Sequence, residues 1–511
     1  MNCCPTKIKF VPRFIFPGTK FFLARFSLLL VFVLAGGCVN YTGITSYKKM
    51  AAPSTFQTEK SLPKQQGHWP TTAWANQFGD PQLTFLIREA LCKNPGLQVA
   101  RARVAQAQAL AGGRYAHLFP TVKGFAAINR LKLPENGPVS SVLGGDWVTP
   151  TAFLSYVNYE LDIWGKNLSS FQQAVSQEKA KEASEQEARL SLAASVATTY
   201  NQLAYYYALR DVLKRTVTQR GALAKISQIR LKTGLDTKVQ VYQSRNTIAT
   251  AQTQLVEVEG QILLTRQQLG TLLGGGPDRG LTITIPVLRT VSTPSLPANL
   301  PMHLLGRRPD IVGARWQVEA SCKGIDVVKA QFYPDVNLLA SAGFLAFGVD
   351  RFFESRNSEL LIGPAISLPL FDAGALRAKL RGEYANYEEA VANYNVTLSN
   401  ALADVATQIT SIQSTDRQII AQKEAFSSAV HAYNLAKHQY DIGLTSQLVV
   451  LDAETSYLQE QQARLQLLTN RRNLQIALIK SLGGGFGNRK IRVVKQTIKC
   501  CTTQSIKKVR G

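Results

Sequence analysis

The residues best suited to catalysis or metal binding do not form a recognisable reactive site in this sequence. Its five histidines are scattered: His68, His117, His303, His431 and His438. The last two are one heptad apart and can share a helix face, but no acidic residue completes a zinc motif. The Gly274–Pro277 run lacks the Lys-Ser/Thr pair of a phosphate-binding loop. We therefore expect no enzyme activity, no metal site and no cofactor.

Cysteine chemistry is the exception, because Cys38 follows a segment with the layout of an export signal. An apolar run from Phe21 to Gly37 is preceded by cations and ends in small residues. This predicts a secretory signal peptide at residues 1–37. The small residues before Cys38 resemble a bacterial lipobox, in which the thiol is acylated, although the leucine lies four places before the cysteine instead of three. A plain signal peptide or a single membrane anchor stays open.

Two further cysteines, Cys92 and Cys322, lie in the middle of the chain. They could form a disulfide in an oxidising compartment. Two separate helix residues are the simpler interpretation, and the sequence favours it.

The formal charge of +24 is concentrated at the two ends of the chain. Five lysines and arginines precede residue 26 and eight follow residue 488, with no acid in either stretch. The rest of the chain is only mildly basic. No basic face with interleaved aromatic residues indicates a nucleic-acid module, so we expect no nucleic-acid partner.

The elements that would position any site come from an internal duplication. Two pairs of motifs are 214 residues apart: Asn94–Leu97 with Arg308–Ile311, and Phe119–Pro120 with Tyr333–Pro334. Three later pairs are 209 residues apart: Gly165 with Gly374, Gly234–Leu235 with Gly443–Leu444, and Leu273–Gly276 with Leu482–Gly485. Five markers in the same order indicate that one unit occurs twice.

We therefore divide the chain into six parts. They are the signal peptide (1–37), a lipid-anchored N-terminal extension (38–80), repeat 1 (81–276), an inter-repeat linker (277–303), repeat 2 (304–485) and a basic tail (486–511) that we expect to be disordered. Each repeat is predicted to contain a first helix, at about 81–118 and 308–331. Two extended segments and two long helices joined at a glycine follow.

Composition and a heptad pattern indicate the long helices. No proline lies between Lys166 and Lys232, so one helix could extend roughly 100 Å. Apolar residues from Tyr384 to Ile412 recur with an average spacing of 3.5, which is typical of a coiled coil. Gly234 and Gly443 suit the left-handed backbone of a turn after which the next helix returns antiparallel.

The extended segments alternate between apolar and polar residues. In repeat 2, Val336, Leu338 and Ala340 share one face and Asn337 and Ser341 the other. Such segments fit membrane-spanning strands, although a soluble hairpin has the same pattern. After residue 37 no apolar stretch reaches about 20 residues, so a further membrane crossing would use strands. Four strands cannot close a barrel and an open edge cannot face lipid, so the chain would have to be oligomeric.

Three motifs resemble those of the TolC-like outer-membrane efflux family. They are Leu304–Ile311 continued through Ala330–Pro334, Tyr159–Lys166, and Tyr440–Gly443 followed by Leu451–Ala453. The match runs from about Trp69 to Gly485, and the lipobox points to the lipoprotein branch that serves RND-type pumps.

The resemblance implies a mainly α fold with transmembrane β-strands, in the cell outer membrane and extending into the periplasm. Four strands per chain would contribute to a trimeric 12-stranded β-barrel, and the long antiparallel coiled-coil helices would form a periplasmic α-barrel. The implied partners are a periplasmic adaptor (membrane fusion) protein, an inner-membrane RND, ABC or MFS pump, and outer-membrane lipid at Cys38. The adaptor would dock on the helical tips at Gly234, Leu235, Gly443 and Leu444.

The resemblance also implies a periplasmic gate. Leu448 and Asp452 match the apolar ring and the acidic ring of the lipoprotein branch, and their spacing of four places them on one helix face. A ring of aspartates would attract cations. Val449 stands where TolC carries a second aspartate, so we expect weaker cation block. Simple helix packing of Leu448 and a solvated Asp452 are the alternatives.

The function implied is a passive exit duct for drugs or other small molecules. A type I protein secretion channel is an alternative that the sequence does not separate from it. From another class, a lipid-anchored trimeric surface scaffold or adhesin would have a filled apolar core, whereas a duct needs a lining of small and polar residues.

Overall fold

The structure is a computed structural model that describes residues 41–58, 60–62, 67–136, 145–234, 236–289, 304–350 and 352–486. The predicted signal peptide, Cys38, Leu235 and the tail from residue 487 lie outside these ranges. The chain divides into two compact units. Unit 1 contains Met1–Met50, Val104–Lys181 and Ala314–Tyr394; unit 2 contains Ala51–Arg103, Glu182–Gly313 and Asn395–Gly511.

Helices dominate the described residues. They are α1 (Pro81–Lys93), α2 (Pro95–Ala116), α3 (Lys166–Lys232), α4 (Lys238–Leu272), α5 (Pro277–Leu281), α6 (Pro309–Ala330), α7 (Ala375–Asp441) and α8 (Gln447–Ser481). The helices α3 and α7 each have 67 residues, and α4 and α8 each have 35. These equal lengths confirm the duplicated plan. Within the described ranges, no helix is both long enough and apolar enough to cross a membrane.

The first helix of repeat 1 is divided, where the sequence predicted one continuous helix. Asn94 is extended, with a ψ of 124°, and separates α1 from α2. The cause is Pro95, because a proline ring disfavours the helical conformation of the residue before it. The Asn94 side chain uses this break: its Oδ1 accepts from Leu97 N and its Nδ2 donates to Leu272 O, the last residue of α4.

Side chains fix the starts of the long helices. Asp162 accepts hydrogen bonds from the backbone N–H groups of Asn167 and Leu168 at 2.9 and 2.7 Å, at the start of α3. Asp372 does the same for Gly374 and Leu376 at the start of α7. These bonds satisfy N–H groups that have no partner inside the helix.

Among the described residues, unit 1 contains six strands: β1 (Thr121–Ile128), β2 (Leu131–Lys132), β3 (Trp147–Val148), β4 (Pro150–Leu161), β5 (Asp335–Phe347) and β6 (Ser358–Ser367). Four of them form one antiparallel sheet in the order β1-β4-β5-β6. The short strands β2 and β3 pair with each other. Both repeats therefore contribute two strands to the same sheet, as a fold with four strands per chain requires.

Candidate functional site

The two helix turns of unit 2 are built on left-handed glycines. Gly234 has a φ of +77° and Gly443 a φ of +81°. In the second turn, Gly443 N donates to Tyr440 O and Leu444 N donates to Gln439 O, which ends α7. Both glycines face open space, so the backbone conformation alone explains the residue type.

The predicted gate residues lie on the first two turns of α8. Leu448 is 63% exposed and Asp452 is also exposed, whereas Val450 and Glu454 on the opposite side of the helix are fully buried. The helix therefore packs through one face and presents Leu448 and Asp452 together on another. The neighbouring Leu444, just after the turn, is 75% exposed.

A buried ion pair connects α8 with α3 and α4 near these turns. Arg220 Nε lies 3.0 Å from Glu454 Oε2, and Arg220 Nη1 donates to Thr247 O at 2.9 Å. Burial raises the pKa of the Glu454 carboxyl, and the Arg220 guanidinium opposes this change. About two turns earlier on α8, Gln447 Nε2 donates to Ser244 Oγ of α4 at 2.6 Å. Polar contacts of largely buried side chains thus connect α3, α4 and α8.

A second ion pair lies at the turn itself. Arg230 Nε is 3.2 Å from Asp236 Oδ1, and the Arg230 guanidinium lies 5.1 Å from the centre of the Tyr440 ring. Tyr440 is buried and belongs to a cluster with Leu223, Tyr433 and Val450. The turn after α3 is therefore fastened to the end of α7 by a cation over an aromatic ring.

The strand register divides the sheet into two chemically different faces. Directly paired residues of antiparallel strands share a face, so Val122, Val157, Ala340 and Ile362 form one row. The adjacent row on the other face is Lys123, Tyr156, Ser341 and Leu361. Each of the four strands has one charged residue, and all four lie on this second face: Lys123, Glu160, Asp335 and Glu359.

The uncharged face is apolar and open. Seven of its large side chains are 42–75% exposed: Val122, Ile128, Phe153, Leu338, Leu360, Ile362 and Ile366. The edge strands β1 and β6 each pair with one neighbour only among the described strands. The sheet thus has an unpaired backbone edge on both sides, and its exposed apolar face is unlike the solvated face of a soluble hairpin.

The first described residues after Cys38 pack where the strands begin. Tyr41 contacts Phe332 with ring centres 5.6 Å apart, and its hydroxyl lies 3.4 Å from the Tyr333 hydroxyl. Tyr333 stacks on Trp164 at 4.5 Å. Trp164 in turn donates to Pro334 O, directly before β5. Ile44 is buried in the same cluster.

The comparisons with known proteins agree with each other. The family model described as outer membrane efflux protein matches residues 86–275 and again residues 300–484. The fusaric acid resistance protein FusA of Burkholderia cepacia is 34% identical over 375 residues, covering 71% of this chain and 69% of that protein. The multidrug resistance outer membrane protein MdtP of Escherichia coli K12 is 30% identical over 472 residues, covering 90% of this chain and 96% of MdtP.

A solved structure shares the fold. The outer membrane protein VceC of Vibrio cholerae superposes with a TM-score of 0.77 and 36% identity, over 82% of this chain and 100% of that chain.

This chain belongs to the outer membrane efflux protein family. The family model matches two successive stretches, which is what the duplication predicts. The TolC-like resemblance and the mainly α fold, with two strands of each repeat in one four-stranded sheet, are confirmed. The chain is an outer-membrane efflux protein.

The structure brings some of the predicted site residues of this efflux protein together. Gly234, Gly443, Leu444, Leu448 and Asp452 all lie in unit 2, at or beside the two helix turns. Leu235 and Cys38 lie outside the described residues. Their roles, and those of the gate and tip residues, stay predictions.

Sequence reasoning missed the Arg220–Glu454 and Arg230–Asp236 pairs. The first joins residues 234 positions apart, so no local spacing could reveal it. Cys92 and Cys322 form no disulfide bond in the structure. Within the described ranges, no group of three or more His, Cys, Asp or Glu side chains is arranged to hold a metal ion.

Proposed function

We propose that this efflux protein is the exit duct of a tripartite pump, working as a homotrimer. A periplasmic adaptor would connect it to an inner-membrane pump of the RND, ABC or MFS type, which supplies the energy. The chain itself would conduct its cargo passively and catalyse no reaction.

The amphipathic sheet carries this proposal. An apolar face without charges suits contact with lipid, and a face with all four charged residues suits a water-filled interior. The second face also carries apolar side chains such as Phe125 and Phe347, but its four charges favour a duct over a scaffold, because burying four charges in a filled core would be costly. The confinement of the charged residues to one face follows from the pairing of all four strands, and it is the pattern expected of membrane-spanning strands.

The unpaired sheet edges support the oligomer. Backbone N–H and C=O groups cannot remain unsatisfied in lipid, so β1 and β6 need partner strands. A second copy of the chain offers the same two edges. We propose that three chains close a barrel of twelve strands.

The names of the relatives support small organic molecules as cargo. FusA is named for fusaric acid resistance and MdtP for multidrug resistance. We propose efflux of such compounds by this chain and place protein secretion second. The inner-membrane pump would select which compounds enter the duct.

We propose that Cys38 carries a lipid anchor. Tyr41, the third residue after it, packs at the junction where β5 begins, next to the sheet with the apolar face. An acyl chain on Cys38 would then start close to the membrane. Replacing Cys38 with Ser should abolish incorporation of radiolabelled palmitate, whereas the matched change Cys92→Ser should leave it intact. Unchanged labelling of Cys38→Ser would remove the anchor from the proposal.

We propose that Leu448 and Asp452 form the gate and that Gly234, Leu235, Gly443 and Leu444 form the docking tips. The shared exposed face of Leu448 and Asp452 supports the gate. In a ring of chains these residues would stack as an apolar and an acidic constriction. Adaptor binding would shift the population from closed to open.

Single-channel conductance in a planar bilayer tests the duct. The wild type should show low, cation-selective conductance, and Leu448→Ala/Asp452→Ala should raise it. Ile420→Ala, which removes an exposed apolar side chain of α7 distant from the two turns, is the control and should change little. If correctly assembled wild type and double variant both fail to conduct, the duct is wrong and the scaffold takes its place.

A further inference from the structure

The helix turn of repeat 1 is strongly basic, and the matching turn of repeat 2 is not. Residues 212–256 contain eight lysines and arginines and one aspartate, for a net charge of +7. The equivalent residues 421–465 contain three lysines and arginines and five acidic residues, for a net charge of −2. Because the two regions have the same fold, this difference is not required by the helices themselves.

Ion pairs within the chain use only part of this positive charge. Arg220 pairs with Glu454, Arg230 with Asp236, and Lys214 lies 3.8 Å from Glu259. Four exposed cations closest to the turn form no ion pair within the described ranges: Lys225, Lys232, Lys238 and Arg245.

These four cations alternate with apolar side chains in a regular pattern. On α3 the order is Lys225, Ile229, Lys232, and on α4 it is Lys238, Tyr242, Arg245. Both triplets have spacings of four and three, so each lies on one helix face. Ile229 is 63% exposed and Tyr242 is 64% exposed. We call these two triplets, one on each helix beside the turn, the basic tip surface.

A solvated face does not account for this surface. Solvated faces mix both signs of charge and expose few large apolar side chains. The counterparts in repeat 2, at the 209-residue offset, contain no lysine or arginine: Asn434, His438, Asp441, Gln447, Leu451 and Glu454. Gln447 and Glu454 are buried there, so repeat 2 has replaced the pattern by internal contacts.

A second copy of this chain offers no matching acidic surface. The exposed charged residues in the equivalent region of repeat 2 are balanced in sign: Lys423, Glu424, Lys437, Asp441, Asp452 and Arg464. A cationic face with apolar centres fits a helix with the opposite arrangement, in which acidic residues flank an apolar one.

We propose that the basic tip surface binds an acidic amphipathic helical hairpin of the periplasmic adaptor. This inference rests on the proposed function, which gives the adaptor its place at the helix turns. Ile229 and Tyr242 would supply apolar contact, and the four cations would select acidic partners and speed their association. The turn of repeat 2 would accept a different, less acidic part of the partner.

The test uses the full-length protein in detergent and two designed helical hairpins labelled with fluorescein. One hairpin carries Glu-Leu-Glu triplets at spacings of four and three, and the other has Gln in place of Glu. Fluorescence anisotropy should show binding of the acidic hairpin that weakens from about 0.05 M to about 0.3 M salt. The Gln hairpin should bind about tenfold more weakly. Equal affinity for the two hairpins would overturn the proposal without any variant of the protein.

Charge-reversal variants locate the binding surface. Lys232→Glu/Lys238→Glu should weaken binding of the acidic hairpin about tenfold. Lys423→Glu/Lys437→Glu, which changes two exposed lysines near the other turn, should leave it unchanged. Circular dichroism melting of both variants checks the fold. A stronger, lysine-dependent attachment to phosphatidylglycerol vesicles would assign the surface to a membrane instead, and conversion of the basic-tip variant to monomers would assign it to a second copy.

Conductance of the wild type tests the duct separately. If the wild-type protein conducts normally but does not bind the acidic hairpin, the acidic partner is wrong and the duct stands. If the wild-type protein binds the acidic hairpin selectively but does not conduct, the duct is wrong and the binding role of the basic tip surface stands.

Discussion

At the scale of single residues, the Arg220–Glu454 pair is the least expected feature of the helix turns. Removing two charges from water costs several kcal/mol each, and the attraction between them recovers this cost only with good geometry. The pair contributes less to net stability than to the choice of alignment between α3 and α8. A helix that slid by one turn would leave Glu454 buried without its cation.

Substituting Arg220 by Ala should destabilise the packing of α3 on α8 by about 3–5 kcal/mol, because Glu454 would stay buried without a counter-charge. The apolar double variant Arg220→Met/Glu454→Leu should recover most of this loss. Thermal and urea denaturation of the solubilised protein measure both effects. An unchanged unfolding midpoint for Arg220→Ala would show that Glu454 is not held by this contact.

Residue-level prediction from the sequence succeeded where a local rule applied. Gly234 and Gly443 could be assigned to left-handed turns because few other residues adopt a positive φ. Arg220 and Glu454 could not be paired, since their contact depends on the alignment of two helices from different repeats. One indication of such a pair was present in the sequence. Residues 212–256 have eight cations and one aspartate, so a buried cation among them would need an acidic partner from another element.

At the scale of elements, the Leu-Gly-Gly-Gly motifs close each repeat against its own beginning. Gly274 has a φ of +74°, and a Cβ on it would lie 2.7 Å from Lys93 O. Gly483, its counterpart, approaches the backbone of Arg307 in the same way. Asn94 and Arg308 complete the match, because each donates to the last carbonyl of the second long helix, at Leu272 and Ser481. The motif therefore does more than stop a helix.

Replacing Gly274 with Ala should cost more stability than replacing Gly234 with Ala. The two glycines have nearly the same φ, so both variants bear a similar backbone strain of about 1–2 kcal/mol. Only the methyl group at 274 meets backbone atoms, which should add about 1–3 kcal/mol. Melting curves of the two variants compared with wild type give the difference. Equal losses would mean that the repeat closure tolerates a methyl group.

The elements were predictable to different degrees. The bounds of α3 followed from Gly165 and the glycine turn at Gly234, which flank a segment without proline, and they agree with the structure. The break at Asn94 was missed although Pro95 signals it, since a proline disfavours the helical conformation of the residue before it. The alternation of β5 could be read from the sequence. Its pairing with β4 of the other repeat could not, since strand partners depend on contacts distant in sequence.

At the scale of the whole molecule, the sheet decides how the chain meets the membrane. Its two faces differ in charge along all four strands, so a change of one position along a strand moves a side chain to the opposite environment. Neighbouring residues of β6 therefore provide a direct comparison.

Ile362→Lys should impair assembly in the outer membrane, whereas Leu361→Lys should be tolerated. Ile362 lies on the apolar face, where a buried lysine costs about 2–4 kcal/mol near the centre of a bilayer. Leu361 lies on the face that carries Lys123 and Glu359. Heat-modifiable mobility on gels and the yield in outer-membrane fractions report assembly. Equal yields of the two variants would contradict the assignment of the faces.

The equal lengths of α3 and α7 bear on how many partner molecules the assembled protein can bind. Each repeat reaches its glycine turn after a helix of 67 residues, so three chains would provide six turns of one geometry. Their charges differ, which reduces a sixfold pattern to a threefold one with two alternating kinds of position. A partner indifferent to charge would fill six equivalent places, and a partner that distinguishes the two kinds would stop at three. Divergence between the two halves of a duplicated chain can thus set the stoichiometry of the machine that assembles on it.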